Sequence, residues 1–208
     1  MNASLLNGVP VIPVVVLDDV AHALPVARAL VEGGLPVLEL TLRTPVALEA
    51  LRRIAAEVPE ILVGAGTITT PGQAKEAAEA GARFLVSPGS TPALIDGMAG
   101  TGLPFLAGTA TVSEVMRLLE LGVEEMKFFP AVAAGGVPML RAIHGPLSQA
   151  RFCPTGGITA ATAPDFLALP NVGCVGGSWL TPADALAAGD WGRVKRLAAE
   201  TVALAGPR

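Results

Sequence analysis

Eight times along this chain a short apolar run gives way to an amphipathic or alanine-rich stretch of helical length, and that alternation restricts the fold more than any other feature. Residues 9–17 (VPVIPVVVL) set the pattern. A strand that is apolar at every position, rather than at every second one, is buried on both faces, as parallel strands beneath helices are. Similar runs predict strands at 37–42, 61–64, 83–87, 104–107, 124–129, 151–154 and 172–176. Helices are predicted between them. The first starts at Asp18-Asp19 and stops at Gly33-Gly34, and the second spans about 45–58 with Pro45 in its first turn. Others are expected at 71–80, 92–98, 112–121, 136–143, 162–169 and 191–205. Eight such units predict the α/β class and a closed (β/α)8 TIM barrel, as a single domain over 1–208. The alternative is an open doubly wound sheet, which at this length has fewer strands and longer loops.

The interior this implies is unusual in its materials. Hydrophobic residues make up 51 % of the chain but aromatics only 4 %, so Ala, Val and Leu must fill the core. With a net charge of −4 and 15 % charged residues there is no basic surface for nucleic acid. Two uncharged stretches, 1–17 and 166–183, are too interrupted by Pro and Gly to span a membrane, and the first lacks the basic start of a signal peptide. Cys153 and Cys174 sit in apolar runs without motif spacing and read as buried, reduced thiols, which suits a soluble cytoplasmic protein.

In a barrel, chemistry belongs at the C-terminal ends of the strands. Lys127, in Glu124-Glu125-Met126-Lys127-Phe128-Phe129-Pro130, is a cation in a strand-like apolar run. Two readings stand. It reaches water or pairs with Glu125, or it is withdrawn from water, which favours the neutral amine that a Schiff-base nucleophile requires. The second strand carries Glu39, Thr41 and Arg43 alternating with leucines, which puts the three polar groups on one face. Glu39 and Arg43 form a structural ion pair, or they serve as a proton-transfer carboxylate and a guanidinium for a substrate carboxylate. Gly64-Ala65-Gly66-Thr67 ends the third strand, with small residues that let a ligand approach and a hydroxyl at Thr67. Gly156-Gly157 and Gly176-Gly177-Ser178 follow strands seven and eight, where this fold cradles phosphate with backbone amides. His22 and His144 lack metal-ligand spacing, Arg151 falls at the opposite end of its strand, and no His/Cys/carboxylate cluster points to a metal.

Two of these stretches carry a family pattern. Gly34-Leu35-Pro36-Val37-Leu38-Glu39-Leu40-Thr41-Leu42-Arg43 and Gly122-Val123-Glu124-Glu125-Met126-Lys127-Phe128-Phe129-Pro130-Ala131 with Gly135 closely resemble motifs of the 2-keto-3-deoxy-6-phosphogluconate (KDPG) and 4-hydroxy-2-oxoglutarate aldolases. Further stretches from residue 9 to about 202 look alike. The resemblance implies a homotrimeric class I barrel enzyme that acts on a phosphorylated keto acid without metal or other cofactor. It implies Lys127 as the imine-forming residue and Glu39 as general acid/base. Arg43 and Thr67 would hold the keto-acid carboxylate, and Gly156, Gly157, Gly177 and Ser178 the phosphate. The galactonate epimer and unphosphorylated 4-hydroxy-2-oxoglutarate are the sister substrates. A barrel that binds phosphorylated metabolites without catalysis and a metal-dependent aldolase are the competing classes. Two departures are visible: Pro130-Ala131-Val132-Ala133-Ala134-Gly135-Gly136 stands where members commonly read Pro-Ala-Glu-Ala-Asn-Gly-Gly, and Ala107-Gly108-Thr109 replaces a more usual Pro-Gly-aliphatic turn.

Overall fold

The strands that the apolar runs produce are short, and their side chains divide between an inner face and an outer, helix-covered one. A computed structural model of the chain describes residues 4–204. Its strands are β1 Val11–Val15, β2 Val37–Thr41, β3 Leu62–Gly66, β4 Leu85–Val86, β5 Phe105–Thr109, β6 Glu125–Phe128, β7 Arg151–Pro154 and β8 Val175–Gly177. The helices are α1 Ala23–Glu32, α2 Ala47–Glu57, α3 Pro71–Glu79, α4 Pro92–Ala99, α5 Val112–Glu120, α6 Gly136–His144, α7 Ala163–Leu167, α8 Ala183–Ala188 and α9 Trp191–Val202. The strands form one sheet in the order β7-β6-β5-β4-β3-β2-β1-β8. Every neighbouring pair is parallel, and parallel bridges from Phe152 to Val172 and from Thr155 to Gly176 bring the two ends together. The ring is the expected (β/α)8 barrel.

Local chemistry explains where the helices begin. Thr70, Thr91 and Thr111 each stand in extended conformation one residue before a helix and accept the amide three residues on. Prolines at the first turns of α3 and α4 need no donor there. At α5 the cap is reciprocal: Glu114 reaches back to the Thr111 amide while Thr111 accepts from the Glu114 amide. Burial draws the Glu114 carboxyl upward, but hydrogen bonds from the Ala110 amide and from the Thr111 hydroxyl and amide, with the Arg117 charge, outweigh it and leave it below its ordinary value.

The elements depart from the sequence expectations at several ends. Pro45 lies in a turn before α2 rather than in its first turn. β4 keeps two of the five expected residues, and β8 starts at Val175 because residues 170–171 turn and Val172 makes only an isolated bridge. The unexpected α8 sits between β8 and α9. α9 ends at Val202, and residue 205, to which the last helix was expected to extend, lies outside the described residues. Cys153 and Cys174 are both buried and unbridged. Among the described residues no helix is long and apolar enough to cross a membrane.

Candidate active site

In the closed ring β2 and β6 lie four strands apart, on opposite walls. Glu39 occupies the middle of β2 between Leu38 and Leu40, and Lys127 follows Met126 in β6; these apolar neighbours are at 0 % exposure. Residues on opposite strands touch only across the interior, so both polar side chains must point inward. They meet there: Lys127 Nζ donates to Glu39 Oε1 at 3.2 Å, with side-chain exposures of 6 % and 3 %. The room for this contact is built into β3. A Cβ on Gly66 would come 2.1 Å from Glu39 Oε1, so any larger residue would displace the carboxylate. On the other side, the Phe129 ring lies 5.4 Å from the ammonium, within cation–π range.

Above this pair, β2 and β3 end in a second contact. Arg43, in the turn after β2, donates from Nε to Thr67 Oγ1 at 3.0 Å and is otherwise exposed. Thr67 has φ +58°, a conformation that a β-branched residue adopts only at a cost. Strain of this kind, beside an exposed guanidinium at the barrel mouth, fits a site for a carboxylate.

The glycine loops adjoin one another because Thr155 bridges Gly176, so residues 156–157 and 177–178 follow side by side. Gly156 and Gly157 have φ of +104° and +78°, and both also face close neighbours. A Cβ on Gly156 would lie 3.3 Å from the Phe129 ring, and one on Gly157 would lie 2.9 Å from Val132 Cβ. The Trp179 ring fills the space of a side chain at Gly177, and Ser178 is exposed. Ser178 also borders a cavity of about 490 Å³ between the ends of β1 and β8, which includes Val14, Val16, Asp18 and Thr181.

Several sequence alternatives are thereby decided. The Glu39–Arg43 pair does not form, because Glu39 is turned to Lys127 and Arg43 to Thr67. Nor does Lys127 pair with Glu125, which accepts from Ser4 and the Leu5 amide and pairs with Arg151 at 3.6 Å. Thr41, expected to share a face with Glu39 and Arg43, is fully buried and donates to the Val15 carbonyl, a contact between strands. Arg151 has the structural role expected of it, bonding Glu125 and Asn7. Phe129 and Thr155 were not singled out in the sequence, and Val132 stood out there only as a departure from the family pattern. Phe129 follows Lys127 closely enough to be suspected, whereas the places of Thr155 and Val132 depend on how two loops meet. Among the described residues no group of three or more His, Cys, Asp or Glu side chains could hold a metal ion.

Known proteins resemble the chain along nearly its whole length. The family model "KDPG and KHG aldolase" matches residues 3–197. The KHG/KDPG aldolase of Escherichia coli K12 is 54 % identical over 199 residues, spanning 96 % of this chain and 93 % of the relative. The 2-dehydro-3-deoxy-phosphogluconate aldolase of Dickeya dadantii is 53 % identical over the same shares. Among solved structures, the KDPG aldolase of Legionella pneumophila, with pyruvate captured as a covalent carbinolamine intermediate, superposes with a TM-score of 0.93 at 47 % identity, covering 95 % of this chain and 96 % of that one. The Zymomonas mobilis ZM4 enzyme with 3-phosphoglycerate gives 0.90 at 46 %, covering 96 % and 93 %. With likeness of this strength along nearly its whole length, the chain belongs to the KDPG and KHG aldolase family.

Proposed function

We propose that this protein is a class I aldolase that cleaves 2-keto-3-deoxy-6-phosphogluconate to pyruvate and glyceraldehyde 3-phosphate through an imine on Lys127. The observation that carries the reading is the buried contact between Lys127 and Glu39 across the ring. An amine nucleophile needs a partner that takes its proton and returns it at each later step, and a carboxylate at 3.2 Å is within reach.

The steps follow from that pair. Glu39 takes the ammonium proton, and the freed amine attacks the C2 ketone to give a carbinolamine. Glu39 returns the proton to the leaving hydroxyl, water departs, and a cationic iminium remains. Glu39, directly or through a water, then removes the C4 hydroxyl proton while the C3–C4 bond breaks and its electrons enter the iminium. Glyceraldehyde 3-phosphate leaves, the enamine is protonated at C3, and water hydrolyses the pyruvate iminium to free Lys127. In this reading Arg43 and Thr67 hold the keto-acid carboxylate, and Gly156, Gly157, Gly177 and Ser178 hold the distal phosphate. The protein's own groups supply every proton transfer, so the scheme needs no metal or organic cofactor. The chain acts as one barrel domain, in the cytoplasm and as a homotrimer; light scattering on the purified protein tests the last point.

Borohydride added with pyruvate is expected to fix covalent mass on Lys127, and Lys127→Ala to abolish both labelling and pyruvate release. Labelling of another residue, or none, removes the imine mechanism. Relative kcat/KM for the gluconate substrate, its galactonate epimer and 4-hydroxy-2-oxoglutarate ranks the sister substrates, with the gluconate compound expected to lead.

A further inference from the structure

Two consecutive phenylalanines at the end of β6 stand in different settings. Phe128 is fully buried and meets Phe152 edge to face, with ring centroids 6.2 Å apart, on the outer side where alternation places it. Phe129 shares the inner side with Lys127 and is half-buried. Its ring presents its face to Lys127 Nζ, 5.4 Å from the centroid. Two contacts hold it there. The pairing with β5 continues to Phe129, whose amide donates to Thr109 O at 3.0 Å. The ring edge lies beside Gly156, where a Cβ would come 3.3 Å from Cδ2 and Cε2, so no side chain competes for its place.

The nitrogen therefore has two neighbours that behave differently. Glu39 takes or returns a proton at successive steps of the proposed scheme, and its direct contact at 3.2 Å leaves no room for a carbon skeleton. The Phe129 ring carries no proton, sits two residues along the same segment as the lysine, and need not move when a substrate enters. A π face attracts a cation and gives little to a neutral nitrogen.

We infer that Phe129 is a further catalytic residue: its π face stabilises the iminium on Lys127 over the neutral carbinolamine and enamine that flank it. The inference rests on the imine mechanism of the proposed function. When the carbinolamine collapses, the C2–O bond breaks and the hydroxyl leaves as water with the proton from Glu39. The nitrogen lone pair becomes the second C–N bond, and the positive charge so created lies against the ring. When C3 later loses a proton, the C–H electron pair cancels that charge and the attraction is given up. The ring thus favours dehydration and holds a bound keto acid as the iminium. An attraction of this kind in a largely desolvated setting is worth about tenfold in the partition. Fluorine atoms draw density from the π face with little change of shape, so they should remove it in steps.

The test places mono-, di- and trifluorinated phenylalanine at position 129, beside Phe129→Leu. Each enzyme is saturated with pyruvate labelled with carbon-13 at C2, and NMR separates the trigonal C2 of the iminium from the tetrahedral C2 of the carbinolamine. The iminium-to-carbinolamine ratio is expected to fall with each fluorine, by about tenfold from the native ring to the trifluorinated one. Phe129→Leu, which keeps apolar bulk without a π face, should lose at least as much. Exchange of the pyruvate methyl protons for deuterium, measured per borohydride-trapped iminium, should rise along the same series, because loss of a C3 proton discharges the cation. A ratio and an exchange rate that stay constant along the series overturn the inference. So does a loss in Phe129→Leu that the fluorinated rings do not share, since the ring would then act by packing alone. Absence of any adduct on Lys127 sinks the imine reading itself, whereas a normal adduct whose partition ignores fluorination sinks this inference alone.

Discussion

Replacing Lys127 by Met separates what the buried pair does for stability from what it does for catalysis. At 3.2 Å the two charges attract by about 5 kcal/mol at an effective dielectric constant of ~20. That attraction offsets desolvation already incurred by two side chains with exposures of 6 % and 3 %. Lys127→Met removes the attraction and leaves Glu39 sealed in the ring without its partner, which should cost about 3–5 kcal/mol. Glu39→Leu strands the ammonium instead and should cost a similar amount. The double variant Lys127→Met/Glu39→Leu removes both charges and fills their space with apolar atoms of comparable volume. It should fall within about 1 kcal/mol of the wild type, or exceed it in stability.

Urea unfolding gives these differences directly. In thermal scans each kcal/mol moves the midpoint by about 2–4 °C for a chain of this size, so each single variant should melt roughly 6–20 °C below the wild type. All three variants should be catalytically dead. A single variant within 1 kcal/mol of the wild type would mean that water reaches the pair and weakens it. A double variant as unstable as the sum of the singles would refute the claim that the charges depend on each other.

Four further outcomes follow from particular contacts. Glu39→Gln should still permit borohydride trapping but slow turnover by about 10² to 10⁴, and unchanged kcat would exclude the carboxylate from proton transfer. Thr67→Gly should gain about 0.5 kcal/mol by relieving a β-branched residue at φ +58°. It should also raise KM through loss of the hydroxyl that orients Arg43; a less stable variant with unchanged KM would contradict both halves. Thr111→Ala should cost about 1 kcal/mol through loss of the α5 cap. Because Glu114 is held below its ordinary value, its contribution is complete at neutral pH and is lost as pH falls through that lowered folded value. The stability gap between wild type and Glu114→Gln, read from urea unfolding, should therefore close as pH falls below the ordinary carboxylate range, and a constant gap would refute the account.

The positions of the strands were legible because two-sided burial writes an apolar residue at every position. The end of β2 was legible for the opposite reason, since polar groups alternating with leucines have one face to share. Partnership was much less legible. Glu39 has Thr41 and Arg43 as its companions in the sequence, yet its partner lies 88 residues away. Alternation shows which side chains face inward, but the ring decides which of them meet, and Thr41 was lost to a strand contact with the Val15 carbonyl. Thr67 carries no sequence mark of its left-handed backbone, because threonine is a poor residue for it. The short α8 was missed because six residues after Pro182 are too few to show a helical period. Val132 could be singled out as a departure from the family pattern, but its seat on Gly157 follows from two loops joined by backbone hydrogen bonds, which side-chain identity does not encode.

The placement of the pair on opposite walls has a consequence for the reaction. Were the amine and carboxylate on adjacent strands, they could meet at the wall and leave the centre of the ring open. On β2 and β6 they meet in the middle, at a separation too small for a carbon skeleton to pass between them. A substrate must therefore displace the contact, and the displaced attraction has to be recovered from the new complex. The imine recovers it, because protonated nitrogen remains cationic when the carbon chain is attached and Glu39 still faces a positive charge. Only the carbinolamine and enamine stages leave the nitrogen neutral, and both are resolved by a proton passing to or from the same carboxylate in the proposed scheme. The resting ion pair thus has the charge pattern of the iminium, and the site is polarised for that intermediate before any ligand arrives, which is where electrostatic preorganisation contributes most to rate.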